Sequence, residues 1–181
     1  MYSGKVLGVT GLPLSGKTMV ANMLEERGFS VLDMGDVVRK EMESRDMPSG
    51  KEAEFVNNQR DKNGMGAIAK ISRKYLEKMM DGRDIVITGM RGWSEKKVFE
   101  EFLGDEMEIV ALWASRQTRK NRRNKRMRKE DLKGQEFHER DLREINNGVA
   151  KLMALSDVLI INDDIEIEKL EEKVDEKVLS R

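Results

Sequence analysis

The sequence predicts an α/β protein in which five strands alternate with helices around one sheet. Short apolar runs, typical of buried strands, recur at residues 6–10, 30–33, 84–88, 107–113 and 158–161. Between these runs lie longer segments with apolar residues at helical spacing. At 181 residues the chain is long enough for one domain with its own core.

The composition excludes several classes of protein. Cysteine is absent, which excludes disulfides and thiolate chemistry and suits a cytoplasmic protein. No apolar run is long enough to predict a membrane span, and the N-terminus shows no signal-peptide pattern. The 34 acidic residues balance the 34 basic ones, so only the distribution of charge can indicate a polyanionic partner.

The first strand leads into a loop typical of phosphate binding. Residues 11–18 fit the pattern G-x-x-x-x-G-K-[ST], and a helix that ends at Gly28 follows. In this arrangement, backbone N–H groups at a helix N-terminus hold phosphate oxygens. We expect Lys17 to reach the β- and γ-phosphates and the Thr18 hydroxyl to ligate Mg²⁺. The predicted ATP-binding residues of the loop are Gly11, Leu12, Pro13, Leu14, Ser15, Gly16, Lys17 and Thr18.

A charged pair follows the second strand. Gly35 and Asp36 open a helix, and Arg39 lies three residues beyond Asp36 on the same side of it. Beside a phosphate loop, we expect Asp36 to serve Mg²⁺ and Arg39 to bind a phosphate group. The structural alternative is a capping aspartate with an ion pair to Arg39.

Residues 41–81 are polar and mainly helical in pattern, with breaks at 48–50 and 63–66. This segment is too long for a simple crossover and too structured for a linker, so we predict a helical hairpin inserted above the sheet. Arg60 and Gly64 are candidates for a pocket that binds the molecule accepting a phosphoryl group. Considered without the phosphate loop, both are more typical of surface features. Arg91, just past the third strand, lies where open α/β sheets bind ligands, and we expect it to bind phosphate rather than form a surface ion pair.

Positive charges crowd the chain between residues 116 and 129, where fourteen residues hold nine bases and no acid. One interpretation is an arginine-bearing lid over the transferring phosphoryl group, and the other is a nucleic-acid contact. The acids between residues 130 and 144 favour the lid because they would neutralise much of the patch. A solvated helix face stays open for most of these charges. A helix over 137–155 and another over 165–178 flank the fifth strand.

Together these features resemble a nucleoside monophosphate kinase over nearly the whole chain. The chain is similar to the archaeal adenylate-kinase-related P-loop proteins, a group between adenylate kinases and dephospho-CoA kinases. The matching segments are residues 8–18, 34–39, 64–67, 89–91, 139–144 and 161–163. The resemblance implies a P-loop NTPase fold, which is a three-layer α/β/α sandwich with a five-stranded parallel sheet of order 2-3-1-4-5. It also implies a helical insertion at about 41–81 and a basic lid at about 119–140.

The resemblance also assigns roles to residues. Arg119 or Arg122 would stack on adenine, and Asn162 would border it. Arg128 and Arg140, with Arg143 as a further candidate, would close on the transferring group. The candidate catalytic residues are Lys17, Arg39, Arg91, Arg128 and Arg140; the candidate acceptor-binding residues are Asp36, Arg39, Arg60, Gly64 and Arg91; the candidate metal ligands are Thr18 and Asp36.

The choice of relative decides the predicted acceptor. Residues 35–39 match the Gly-Asp-x-x-Arg motif of adenylate kinases, whereas dephospho-CoA kinases carry a second aspartate where Gly35 stands. A phosphate acceptor needs positioning and charge neutralisation, but a hydroxyl benefits from a general base. We therefore predict ATP- and Mg²⁺-dependent phosphoryl transfer to a nucleoside monophosphate or similar small phosphate. Because Asp33 could act as a base, transfer to a ribose hydroxyl is the alternative.

One departure from the adenylate kinase pattern concerns the metal. Adenylate kinases carry an acid after the third strand for the water shell of the metal, and Thr88 stands there in this chain. Asp36 or Asp33 must compensate, or turnover is slow. Small nucleotides are the predicted partners. A nucleotide-dependent RNA-binding or assembly ATPase that uses the 116–129 patch, and a protein that only binds ATP, are the alternatives from other classes.

Overall fold

The computed structural model of the chain describes residues 2–126 and 134–180, and its described strands form one parallel sheet. The strands are β1 (Val6–Thr10), β2 (Ser30–Asp33), β3 (Ile85–Thr88), β4 (Glu108–Trp113) and β5 (Val158–Ile161). Their order, β2-β3-β1-β4-β5, confirms the predicted topology. The third and fourth strands each begin one residue later than the sequence predicts.

Helices pack on both faces of the sheet. They are α1 (Lys17–Glu26), α2 (Met34–Glu43), α3 (Glu52–Asn63), α4 (Ala67–Met79), α5 (Trp93–Leu103), α6 (Arg116–Arg126), α7 (Gly134–Asn147), α8 (Val149–Ala154) and α9 (Ile167–Val174), which a π-helical turn (Asp175–Leu179) extends. One core contains buried residues of α2, α3, α4, α5 and α8, and the other contains those of α1 and α9. This confirms the three-layer α/β/α architecture. The described helices include none that is long and apolar enough to cross a membrane.

The predicted helix over 137–155 is interrupted at Gly148, so this prediction is wrong in one place. Gly148 has a φ of +110°, a left-handed conformation that favours glycine, and it separates α7 from α8. A Cβ at Gly148 would lie 3.2 Å from the Cα of Gly92 and 3.3 Å from the carbonyl oxygen of Arg91. The interruption therefore brings the end of α7 against the loop that follows β3.

The edge strand β5 is protected by the C-terminal helix. The Nζ of Lys173 donates to the carbonyl oxygen of Ile161 at 2.9 Å, and that of Lys177 to the carbonyl oxygen of Leu159 at 3.4 Å. The side chains of Leu159 and Ile161 are exposed on this strand, and so is Trp113 of the neighbouring strand, 42% exposed.

The inserted segment consists of α3 and α4, and a buried acid connects it to α2. The predicted insertion began at residue 41, but residues 41–43 belong to α2. Glu41 accepts hydrogen bonds from the Tyr75 hydroxyl at 2.8 Å and from Arg45 at 3.2 Å, and Lys74 lies 2.5 Å away. Burial raises the pKa of Glu41, but the hydrogen bonds from Lys74 and Tyr75 outweigh it, so the pKa lies below the ordinary 4.5.

Replacing Glu41 with Gln should destabilise the protein by about 1–3 kcal/mol, because charged hydrogen bonds to a buried acceptor are lost. Chemical denaturation monitored by circular dichroism measures the change. Since the pKa of Glu41 is lowered in the fold, the difference from wild type is fully present above the ordinary value of 4.5 and shrinks as the pH falls below it. Glu43→Gln, an exposed neighbour on the same helix, is the control. An equal loss in both variants would contradict the role of Glu41.

Candidate functional site

The loop between β1 and α1 has a conformation that two glycines make possible. Gly11 and Gly16 have φ values of +148° and +107°. A Cβ at Gly11 would lie 2.5 Å from the carbonyl oxygen of Leu112, and one at Gly16 would lie 2.3 Å from the Nδ2 of Asn162. Both positions therefore exclude a side chain for reasons of space as well as of backbone geometry.

The carbonyl groups of this loop turn inward, and each has a hydrogen-bond donor. Lys17 donates from its Nζ to the carbonyl oxygens of Gly11 (2.8 Å) and Leu12 (3.0 Å). The remaining donors are Arg119 to Pro13 (3.3 Å), Arg122 to Leu14 (3.1 Å) and the Nδ2 of Asn162 to Ser15 (2.8 Å). Five consecutive carbonyl groups are thus satisfied by side chains. Phosphate binding would use the backbone N–H groups of this loop, and one of them, that of Ser15, donates to the carbonyl oxygen of Leu12 at 3.2 Å.

The mouth of the loop fits phosphate oxygens. Gly16 offers no side chain to cap α1, and the first turn of α1 holds no acid. The N-terminal N–H groups and the positive end of the helix dipole are therefore suited to an anion. The Oγ of Ser15 is buried and has no hydrogen-bond partner among the residues that the structure describes. The next hydroxyl along the chain, that of Thr18, belongs to an exposed residue at the start of α1.

Charged residues from three elements act on Lys17. Burial lowers the pKa of Lys17 to about 8, and the carboxylate of Glu144 on α7 works against this change. The nearby guanidinium groups of Arg91, Arg140 and Arg119 lower the pKa further by like-charge repulsion. The charges of two predicted catalytic arginines, Arg91 and Arg140, therefore act on the loop lysine, Lys17. Another, Arg128, lies outside the described residues.

Arg119 lies beneath the loop and not over its mouth. Its guanidinium forms a two-bond ion pair with Asp141, at 2.7 and 2.8 Å, and both side chains are buried. The same guanidinium lies 5.2 Å from the centre of the Phe137 ring. In this arrangement Arg119 supports the loop and has no face free to stack on a base. Asn162 is also buried and supports the loop, because its Nδ2 donates to the carbonyl oxygen of Ser15, while its Oδ1 accepts from Arg122.

The charged pair after β2 forms the ion pair that the sequence suggested as its structural alternative. Arg39 pairs with Asp36, and both side chains are more than half exposed. Asp33 caps α2 by accepting from the backbone N–H of Asp36 at 3.0 Å. Its other oxygen accepts from the hydroxyl of Thr88 at 2.7 Å. A carboxylate from β2 thus lies directly beside the position where the resemblance led us to expect an acid.

Arg60, predicted near an acceptor pocket, is buried between three elements. It lies 3.3 Å from the carboxylate of Glu95 on α5, and it donates to the Oδ1 of Asn147 at 3.0 Å. Glu95 also accepts from the backbone N–H of Arg91 at 2.7 Å. Burial raises the pKa of Glu95, and these donors oppose the change. Arg60 therefore ties the insertion to the loop that carries Arg91, whereas Gly64 lies beside open space.

The residues near the loop offer few ligands for a metal ion. The described residues include no group of three or more His, Cys, Asp or Glu side chains that could hold one. Mg²⁺ does not require such a group, because it is commonly bound through one or two protein oxygens together with the phosphates of a nucleotide. Thr18 and Asp36 stay the predicted ligands, with Asp33 nearby.

Comparison with known proteins places the chain in a family. Residues 10–145 match the family described as AAA domain. A UPF0200 protein of Pyrobaculum aerophilum is 37% identical over 175 residues, which cover 96% of this chain and 97% of that protein. A UPF0200 protein of Pyrococcus furiosus is 37% identical over 163 residues, covering 87% and 88%. The chain belongs to the AAA domain family, as a UPF0200 protein. The predicted similarity to archaeal P-loop proteins is confirmed.

Solved structures show that UPF0200 shares its fold with kinases. The protein TT1252 from Thermus thermophilus has a TM-score of 0.66 and 18% identity over 98% of this chain and 97% of its own. A shikimate kinase from Bacteroides thetaiotaomicron has a TM-score of 0.56 and 15% identity over 98% and 99%. A sugar kinase from a Janibacter species has a TM-score of 0.55 and 15% identity over 96% and 93%. The UPF0200 fold is therefore a P-loop kinase-like fold.

The sequence analysis did not identify the side chains of α7 that pair with the arginines of the UPF0200 site. Asp141, Glu144 and Asn147 lie on one side of α7 at intervals of three residues, and each pairs with an arginine from another element. The spacing is visible in the sequence. The partners are not, because they lie far apart along the chain. The sequence predicts that the acids between residues 130 and 144 neutralise the basic patch in general. In the structure, two of them form specific ion pairs, Asp141 with Arg119 and Glu144 with Arg91.

Replacing Asp141 with Asn should destabilise the UPF0200 fold by about 3–5 kcal/mol, because it leaves the buried guanidinium of Arg119 uncompensated. Thermal unfolding measures this loss. We expect nucleotide binding to weaken too, since Arg119 also holds the carbonyl group of Pro13. Glu139→Gln, which removes an exposed acid two residues earlier, should change neither property. A small effect of Asp141→Asn would show that the ion pair does not hold the loop.

Proposed function

We propose that this UPF0200 protein binds ATP with Mg²⁺ and transfers the γ-phosphoryl group to a nucleoside monophosphate or a similar small phosphate. The observation that carries the proposal is the set of cations around one point. Lys17 lies in a loop whose last three carbonyl groups are held by Arg119, Arg122 and Asn162. The charges of Arg91 and Arg140, from two other elements, act on Lys17. Phosphoryl transfer depends mainly on positioning and on the neutralisation of charge on phosphate oxygens.

The loop between β1 and α1 would bind ATP, the donor of the phosphoryl group. Its N–H groups, the Oγ of Ser15 and the Nζ of Lys17 would hold the β- and γ-phosphates. Lys17 would have to leave the carbonyl oxygens of Gly11 and Leu12 for a phosphate oxygen, a short rotation of a flexible side chain. Thr18 and Asp36 would hold Mg²⁺, which supplies neutralisation of charge between the β- and γ-phosphates. Asn162 and Arg119 contribute indirectly, as supports of the loop.

The acceptor side is proposed to lie between α2 and the loop after β3. Arg91 is 46% exposed, so a phosphate group can reach its guanidinium. Arg39 is still more exposed, and its partner Asp36 is exposed too, which makes the pair easy to exchange for another anion. Arg60 and Glu95 hold the backbone that carries Arg91. The proposal therefore treats Arg39 and Arg91 as the acceptor clamp and Arg60 as its anchor.

A second candidate, transfer to a hydroxyl group, has one observation in its favour. Asp33 places a carboxylate at the carboxyl end of β2, beside Thr88, where a general base for a hydroxyl acceptor would be useful. Two of the fold neighbours are named for acceptors of other kinds, shikimate and a sugar. Both oxygens of Asp33 are already hydrogen-bonded, however, which favours a structural role as the cap of α2.

Replacing Lys17 with Met should lower ATP turnover by about two to three orders of magnitude, since the loop loses its charge on the transferring phosphates. Isothermal titration with MgATP and a coupled turnover assay measure binding and rate separately. Lys97→Met, which removes an exposed lysine on α5, is the matched control. Equal ATP binding and turnover in wild type and Lys17→Met would contradict the proposed donor site.

Screening acceptors should separate the two candidate reactions. With MgATP present, we expect nucleoside monophosphates to be phosphorylated and dephospho-CoA to be inactive. Arg91→Met should raise the acceptor KM by about tenfold or more through loss of a charged contact to phosphate. Arg116→Met, which removes an exposed arginine of α6, should leave it unchanged. Turnover of dephospho-CoA alone, lost in Asp33→Asn, would favour the hydroxyl acceptor and overturn the phosphate one.

A further inference from the structure

One side of α7 accepts contacts from three arginines that belong to three other parts of the fold. The pairs are Asp141 with Arg119 of α6, Glu144 with Arg91 of the loop after β3, and Asn147 with Arg60 of α3. Residues three apart lie on the same side of a helix, so these contacts form a single stripe. The stripe connects α7 to α6, to α3 and to the loop after β3.

Only one of these three arginines is accessible to a ligand. The side chain of Arg119 is 4% exposed and that of Arg60 is 8% exposed, whereas that of Arg91 is 46% exposed. Its NH1 lies 3.1 Å from the Oε1 of Glu144, whose side chain is 10% exposed. The ion pair is therefore buried on its acidic side and open on its basic side. A phosphate group can approach Arg91, but it would meet the negative charge of Glu144 there.

Glu144 also acts on the loop lysine. Burial lowers the pKa of Lys17 to about 8, and among the charges that act on Lys17 the carboxylate of Glu144 has the largest effect. It stabilises the charged form of Lys17, against the repulsion from Arg91, Arg140 and Arg119. A single buried carboxylate thus offsets the charge of two cations that our proposal assigns to phosphate groups.

We propose that Glu144 is an internal counter-ion, which competes with a phosphate group for Arg91 and Lys17. A phosphate that binds these cations must displace the carboxylate or bear its repulsion, so binding loosens α7 from the loop after β3. Because α7 also carries Arg140, phosphate binding and the placement of Arg140 become coupled. This inference rests on the proposed function only in its choice of phosphate as the ligand. Glu144 is then a positioning residue and contacts no substrate.

The direction of the expected effect separates this role from ordinary structural support. If Glu144 merely holds Arg91 in place, its replacement by Gln should weaken phosphate binding. If it competes with phosphate, the neutral amide removes the competitor and phosphate binding should strengthen. In both cases the free protein should melt at a lower temperature, because cations lose their partner. Phosphate affinity, not stability, is therefore the deciding measurement.

The test is isothermal titration of inorganic phosphate into wild type and Glu144→Gln at low salt. We expect Glu144→Gln to bind inorganic phosphate about five- to tenfold more tightly, which is within the range of coupling between two sites. Added phosphate should also raise the melting temperature of Glu144→Gln by more than that of wild type. Glu139→Gln removes the same charge from the exposed side of α7 and should behave as wild type.

A double-mutant cycle assigns the effect to Arg91. The gain in phosphate affinity should largely disappear when Glu144→Gln is combined with Arg91→Met. Affinity in Glu144→Gln that is equal to or weaker than wild type, or undetectable, overturns the inference. An equal gain in Glu139→Gln also overturns it, because the effect would then be one of net charge. The titration requires no turnover, so a failure of the proposed kinase activity would leave its outcome readable.

Discussion

A loop that turns its N–H groups outward to phosphate must turn its carbonyl groups inward, and buried carbonyl groups need donors. In this protein that constraint organises the site. Residues 11–15 have their five carbonyl groups bound by Lys17, Arg119, Arg122 and Asn162. These donors come from α1, from α6 and from the end of β5. The sheet order brings β4 beside β1 and β5 beside β4, and so places those donors under the loop.

The same constraint divides the basic residues into two groups. Arg119 and Arg122 donate to carbonyl groups of the loop, and this contact explains why the basic helix α6 lies against it. Arg91 and Arg39 are accessible, and they remain for a ligand. Two bases of this dense basic segment therefore have a structural use. Its count of charges overstates the number that a polyanion, RNA included, can reach.

Much of the fold could be predicted from the sequence, because its signals are local. The apolar runs of the strands, the glycines of the loop and the break at Gly28 depend on residues within one or two turns of each other. The supporting roles of Arg119 and Asn162 could not be predicted, since their partners lie 106 and 147 positions away. The break at Gly148 could not be predicted for a similar reason: the space beside Gly148 is limited by Gly92, far away along the chain, and the helical periodicity continues across the break. The ion pair of Asp36 and Arg39 could be predicted, because the two residues are three positions apart on one helix.

The C-terminal helix has a consequence for the outer edge of the sheet. Lys173 and Lys177 occupy the outward carbonyl groups of β5, at Ile161 and Leu159. A strand from another molecule would have to displace and rehydrate both ammonium groups before it gained backbone hydrogen bonds of its own. The apolar side chains of Leu159 and Ile161 are therefore exposed on a strand that is poorly suited to templating aggregation. Two lysines of the C-terminal helix thus limit the growth of the sheet at this edge.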